Sequence, residues 1–173
     1  MNLYAVRSLQ DVEAAPIDPA RLAAANINPK TGLATDYLNH FNEAIMLLEL
    51  VPSMPACIDD VMAWRVMSYR EHFRATHQKH RDLVLAAFET ADPQAKRMLD
   101  ELTEAMDAIL TATRDALQLD LSPGIASGLA QESAVQLRPL VARAGAVING
   151  LTLSGEATFS GAPQATVDAL LER

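Results

Sequence analysis

The sequence predicts an all-α fold: a helical bundle of about five helices over residues 1–151, then a flexible linker over 152–163 and a C-terminal amphipathic mini-helix over 164–173. Three observations lead there. Half of the 173 residues are apolar but only 5% are aromatic, with Ala, Leu and Met abundant. That is the composition of a core built from helix formers rather than from the β-branched and aromatic residues that fill sheets. Apolar residues recur at spacings of 3, 4 and 7, and no alternating strand pattern competes with them. Asp18-Pro19, Asp92-Pro93 and Ser122-Pro123 each place a capping side chain before a proline, the order that opens a helix.

The elements follow in order. Leu3, Val6, Leu9 and Val12 have the spacing of a short helix ahead of Pro16. Asp18-Pro19 opens a second, to about Ala25, and Asn26, Asn28, Pro29 and Gly32 then form a turn-rich connection. A central helix is expected over Thr31 to Val51, with Tyr37, Phe41, Ala44, Ile45 and Leu48 on its buried face and Pro52 and Pro55 ending it. A shorter segment runs from Cys57 to Met67, its start marked by Asp59 and Asp60. Ser68 and Glu71 match a capping box, and the helix they open is expected to reach Thr90 with Phe73, Val84, Ala87 and Phe88 inward. Asp92 to Leu117 has the cleanest amphipathic period, through Leu99, Leu102, Met106, Ile109 and Leu110. Its acidic run, Asp100, Glu101, Glu104 and Asp107, reads as the solvated face. The last long helix runs from Ser122 to a stop at Asn149-Gly150, with Pro139 expected to bend it.

Charge and cysteine content exclude several classes. With 14 Lys+Arg against 22 Asp+Glu the net charge is −8, which disfavours nucleic acid and anionic membrane surfaces. Cys57 is the only cysteine, so neither an internal disulfide nor a cysteine-based zinc site is available. MNLYAVRSLQDVEAAP lacks the pattern of a secretory signal, and no apolar run has the length of a membrane span. A cytoplasmic protein is the expectation. No nucleophile elbow and no phosphate-binding glycine loop occurs.

Two features carry functional content. The first is the polar face of the central helix. At 100° per residue, Asp36, His40 and Glu43 fall in one stripe with Asn39 beside it, and Leu47 and Leu50 continue the stripe as apolar. This reads as a partner-binding face. Asp36 and Asn39 also form an acid–amide pair of the kind that orients water for attack on an acyl phosphate, the candidate catalytic pair of an auxiliary phosphatase. The alternative is a zinc or iron site formed by His40 and Glu43 with His77 and His80. On the helix expected over Ser68 to Thr90 those two histidines point inward with Phe73 and Val84, while His72 points to the surface. The reading without a cofactor is preferred. A further alternative makes Leu47, Leu50 and the methionine-rich end of the helix the interface of a homo-oligomer.

The second feature is the tail. Pro163 to Leu171, PQATVDALL, resembles the receiver-binding segment of the flagellar motor switch protein, which reads close to SQAEIDALL. Gln164, Ala165, Asp168, Ala169, Leu170 and Leu171 match, Val167 is conservative, and Pro163 and Thr166 depart. The resemblance implies docking of a short helix, through Val167, Asp168, Leu170 and Leu171, onto a response-regulator receiver domain. A tethered mini-helix with one apolar side is suited to such a groove. The chemotaxis phosphatase has a similar layout of bundle, linker and receiver-binding helix, although its catalytic Asp and Gln four residues apart have no counterpart here. The sequence thus reads as a non-enzymatic adaptor of bacterial signalling that binds another protein.

Overall fold

The computed structural model describes residues 17–77 and 79–151, and among these the fold is all-helical, with seven α-helices, one 3₁₀ turn and no strand. The helices are α1 (Pro19–Ala24), α2 (Asn39–Leu50), α3 (Cys57–Ala63), α4 (Tyr69–Ala75), α5 (Arg81–Glu89), α6 (Pro93–Leu117) and α7 (Pro123–Ile148). The N-terminal helix expected before Pro16, the linker and the mini-helix lie outside the described residues.

The expected caps form. Asp92 Oδ2 accepts the Ala95 N–H at 2.7 Å and Ser122 Oγ accepts that of Ile125 at 3.4 Å, each beside a proline in the first turn. Ser68 and Glu71 make the reciprocal capping box, with Glu71 Oε2 2.8 Å from the Ser68 amide. At the end of α7, Gly150 has φ +71, its N–H reaches the Val147 carbonyl and the Leu151 N–H reaches that of Ala146. That pairing is the Schellman closure, which needs a left-handed residue where Gly150 stands.

The two long helices α6 and α7 pack against each other, and α2 lies on α7. Leu99, Met106 and Leu110 of α6, Leu137, Leu140 and Ile148 of α7, and Phe41 and Leu48 of α2 are fully buried between them. Each such side chain contributes roughly 1.5–3 kcal/mol by leaving water. One polar contact lies in this core. The hydroxyls of Thr113 and Ser133 meet at 2.7 Å, and each also lies within reach of the carbonyl four residues earlier. Pro139 sits inside α7 on its exposed side and cannot donate to the carbonyl of Val135, itself an exposed residue.

Three element expectations are corrected. The helix drawn over Ser68 to Thr90 is two helices, because Thr76 turns extended and closes α4. Between Phe73 and Leu83 no large apolar side chain anchors the stretch, and Thr, His and Lys give it little intrinsic preference for a helix. The central helix begins later than Thr31. Residues 31–34 are non-helical, with Ala34 bridging to Ile27, Thr35–Leu38 form a 3₁₀ turn, and α2 starts at Asn39. The segment from Cys57 ends at Ala63, where Trp64 turns extended. Only the first of these adds a helix, and the described residues hold seven against the five or so expected.

Candidate functional site

The first turn of α2, the end of α3 and the start of α4 bring one set of aromatic rings together. Tyr37 and Phe41 are on the α2 side, Trp64 caps α3, and Tyr69, His72 and Phe73 come from α4. His40 sits among them, only 4% exposed, stacked on the Trp64 indole at 4.5 Å and 21°. The Trp64 Nε1–H donates to the His40 carbonyl at 3.2 Å, so the stack is fixed at a second point. The Tyr37 hydroxyl donates to the Met67 carbonyl at 2.9 Å, and the Ala34 N–H donates to the Tyr69 hydroxyl at 2.7 Å. These bonds satisfy buried polar groups and hold the irregular Trp64–Met67 connection against α2. Burial pushes both phenols up.

His72 lies 5.7 Å from His40 between ring centroids and is 7% exposed. Its expected place at the surface is therefore corrected. His77, expected inward, is exposed, and His80 is half-buried. The cause is the break at Thr76, which cancels any register carried from Phe73 to Val84. Read on α4 alone, Tyr69, His72 and Phe73 stand at i, i+3 and i+4, the spacing that reveals His72 as inward.

Neither His40 Nε2 nor His72 Nε2 has a hydrogen-bond partner. Burial pushes His40 down to about 4, the neighbouring His72 adds to this, and the Arg65 main chain opposes it. Burial also lowers His72, against the Asp36 main chain and the carboxylates of Asp36 and Glu43. Both rings are consequently neutral at ordinary pH, each with one N–H donor and one acceptor nitrogen.

The His40 side of this cluster opens into a cleft of about 460 Å³, walled by Glu43 of α2, Asp60 of α3 and the connection Trp64–Met67. Glu43, Asp60, Arg65 and Val66 are exposed there. A second, smaller hollow of about 240 Å³ lies between Asn26, Asp36, Lys79 and His80. Asn26, in the left-handed region at φ 56, donates through Nδ2 to Asp36 Oδ1 at 3.2 Å.

The single stripe expected for Asp36, His40 and Glu43 is thus divided. The 3₁₀ turn before α2 changes the phase, so Asp36 opens on one concavity and His40 with Glu43 on the other. Asn39 is exposed at the start of α2, while Asp36 is engaged by Asn26. Among the described residues no group of three or more His, Cys, Asp or Glu side chains converges as a metal site requires, so His40, Glu43, His77 and His80 are not gathered. The histidine assignment behind that alternative is reversed by His72. The tail positions Val167, Asp168, Leu170 and Leu171 lie outside the described residues.

A further group lies beyond the sequence reading. Asp107 is half-buried rather than on the wet face of α6, and its Oδ1 has no partner. Burial, with Glu104 beside it, pushes its carboxyl up to about 6. On the same stripe Arg114 donates to the Met62 carbonyl at 3.1 Å, tying α6 to the end of α3. Asp107 and Arg114 are seven residues apart and follow Thr103, a spacing that marks a half-covered stripe.

No protein family, no characterised protein and no solved structure matches the chain. Among the described residues no helix is long and apolar enough to cross a membrane.

Proposed function

We propose that the chain is a non-enzymatic binding protein that docks a segment of a partner protein in the cleft between α2 and the Trp64–Met67 connection. The observation that carries this is the cleft itself: a concavity of about 460 Å³ on a rigid aromatic floor, with Val66 48% exposed on its wall. A floor locked by stacking and by the Trp64 and Tyr37 hydrogen bonds is preorganised, so little ordering is required when a partner arrives. His40 is neutral and buried, with no nucleophile among the residues of the cleft wall. The Asp36–Asn39 pair lends less support to phosphatase chemistry, because the Asp36 carboxylate already accepts from Asn26. The likeness of residues 163–171 to a receiver-binding segment supports a receiver domain as partner, with the tail as a second attachment that raises its effective concentration at the cleft.

The test is titration of the full chain with a phosphorylatable receiver domain, in parallel with Val66→Asp and with a chain ending at residue 159. Both changes weaken binding, the substitution through the cleft and the truncation through the tether. Unchanged affinity in Val66→Asp removes the cleft from the interface, and unchanged affinity in the truncation removes the tail.

A further inference from the structure

The outer face of α7 is unlike that of α6. On α6 the exposed row is charged, through Arg97, Asp100, Glu101 and Glu104. The middle of α7 instead exposes Val135, Pro139 and Ala142, with Arg138 as the charge among them. Val135 is 64% exposed, and Met46 of α2 is 52% exposed. The two helices run antiparallel, since Leu38 lies beside Gly145 and the Glu49 carboxylate pairs with Arg138. Met46 therefore stands one turn from that ion pair on one side and Val135 one turn on the other, and together they open a strip along the α2–α7 seam. The strip is separate from the cleft, whose walls include neither side chain. Large apolar side chains grouped in this way mark a contact surface.

The place where the described chain stops indicates what covers it. α7 ends at Ile148, and residues 152–173 follow Leu151. From the end of α7 back to Val135 is about 20 Å at 1.5 Å per residue. Residues 152–163 are mostly Gly, Ser, Thr and Ala, and a coil of that length has a root-mean-square span of about 17–21 Å. Effective concentration is highest when linker span and separation match, as they do here. Residues 164–173 carry Val167, Leu170 and Leu171 on one helical side, and a helix of that length is about 15 Å long, enough to reach from Val135 to Met46. A second copy is the weaker occupant. It would bring a net charge of −8 against −8, whereas residues 164–173 carry only Asp168, Glu172 and Arg173.

We propose that residues 164–173 dock in cis as a helix on the α2–α7 strip, with Val167, Leu170 and Leu171 packed on Val135 and Met46, and that this contact withholds the tail from a partner protein. The docking itself needs only the strip and the linker, while its regulatory effect rests on the tail-attachment reading above. A partner that takes the tail must first displace it, so its apparent affinity falls in proportion to the fraction of chains whose tail is undocked.

Amide hydrogen exchange in the full chain tests the contact. Residues 164–173 exchange about tenfold more slowly than the same sequence as an isolated peptide, at a rate independent of protein concentration. Val135→Asp and Met46→Glu, at exposed positions outside the core, each abolish that protection while the amides of α6 keep theirs. Three results overturn the proposal: peptide-like exchange of 164–173 in the native chain, protection that survives both substitutions, or protection that grows with protein concentration, which assigns the strip to a second copy. Receiver titration tests the consequence. Val135→Asp tightens receiver binding by up to about tenfold, the factor by which the docked tail was held back. Unchanged receiver binding once protection is lost overturns the withholding. A chain ending at residue 159 that binds the receiver as well as the full chain overturns the tail-attachment reading instead, and the exchange result is judged by itself.

Discussion

Acidification sets two buried groups of this protein against each other. His40 is held down at about 4 from its ordinary 6.5, so between those values the unfolded chain takes up a proton that the folded chain refuses. Stability conferred by the neutral ring is present above about 6.5 and is lost as pH falls toward 4. A displacement of that size corresponds to about 3 kcal/mol, and water in the adjoining cleft reduces it to about 2 kcal/mol. His72, also held down, acts in the same sense. Asp107 acts in the opposite one. Its carboxyl is raised from 3.8 to about 6, so between those values the folded state binds a proton that the unfolded state does not. Stability therefore rises as pH falls through that window, again by about 2 kcal/mol after the same reduction. The two contributions nearly cancel in the native chain, and single variants expose them. Asp107→Asn is more stable than the native chain at neutral pH and then loses about 2 kcal/mol on going to pH 4. His40→Phe keeps a ring on Trp64 and shows the reverse slope. Urea unfolding at closely spaced pH values, followed by helical circular dichroism, measures both. Curves for the two variants that run parallel to the native one between pH 7 and pH 4 would refute the assignment of these groups.

Two further predictions concern packing. At Gly32, φ is +73 and an added Cβ would lie 2.8 Å from the Ala91 Cα, so Gly32→Ala costs about 2–4 kcal/mol in chemical denaturation. Gly150→Ala has a similar φ but meets nothing nearer than the Thr31 methyl at 3.5 Å, and costs about 1 kcal/mol from backbone strain. The buried hydroxyls of Thr113 and Ser133 have one hydrogen each and three acceptor contacts between them, so at most two bonds form at once. Thr113→Val with Ser133→Ala is accordingly close to neutral, while either single change costs about 1 kcal/mol. A double change that costs the sum of the two singles would show the hydroxyls to be independent.

The helix caps were legible because each is a local device: Asp92-Pro93, Ser122-Pro123 and the Ser68–Glu71 box need only their own turn to form. The long period of α6 was legible for the same reason, since two dozen residues repeat one pattern. The site was less so. The stripe of Asp36, His40 and Glu43 assumed uniform helical advance, and a 3₁₀ turn of four residues was enough to send its members to different hollows. The inward His77 and His80 assumed one helix where Thr76 makes two. Asp107 has the same side chain as its solvated neighbours on α6, and only the approach of Tyr37 and the loss of water distinguish it. Such assignments depend on which element covers a position, and that is a long-range property.

The late start of α2 leaves Thr31 free of any helix, and its two polar groups constrain how the chain can be assembled. The Thr31 hydroxyl donates to the Ile148 carbonyl at 2.6 Å, and the Thr31 carbonyl accepts the Asp92 N–H at 2.9 Å. A single residue near the beginning thus fastens the entry of α6 and the exit of α7, across 117 positions in the second case. Because α2 rests on α7, the helix that carries the cleft has no complete support until the ribosome has released nearly all of the described chain. Folding must close this long loop before its contacts stabilise it, which slows the search. A chain that stops ahead of α7 lacks the surface on which α2 rests.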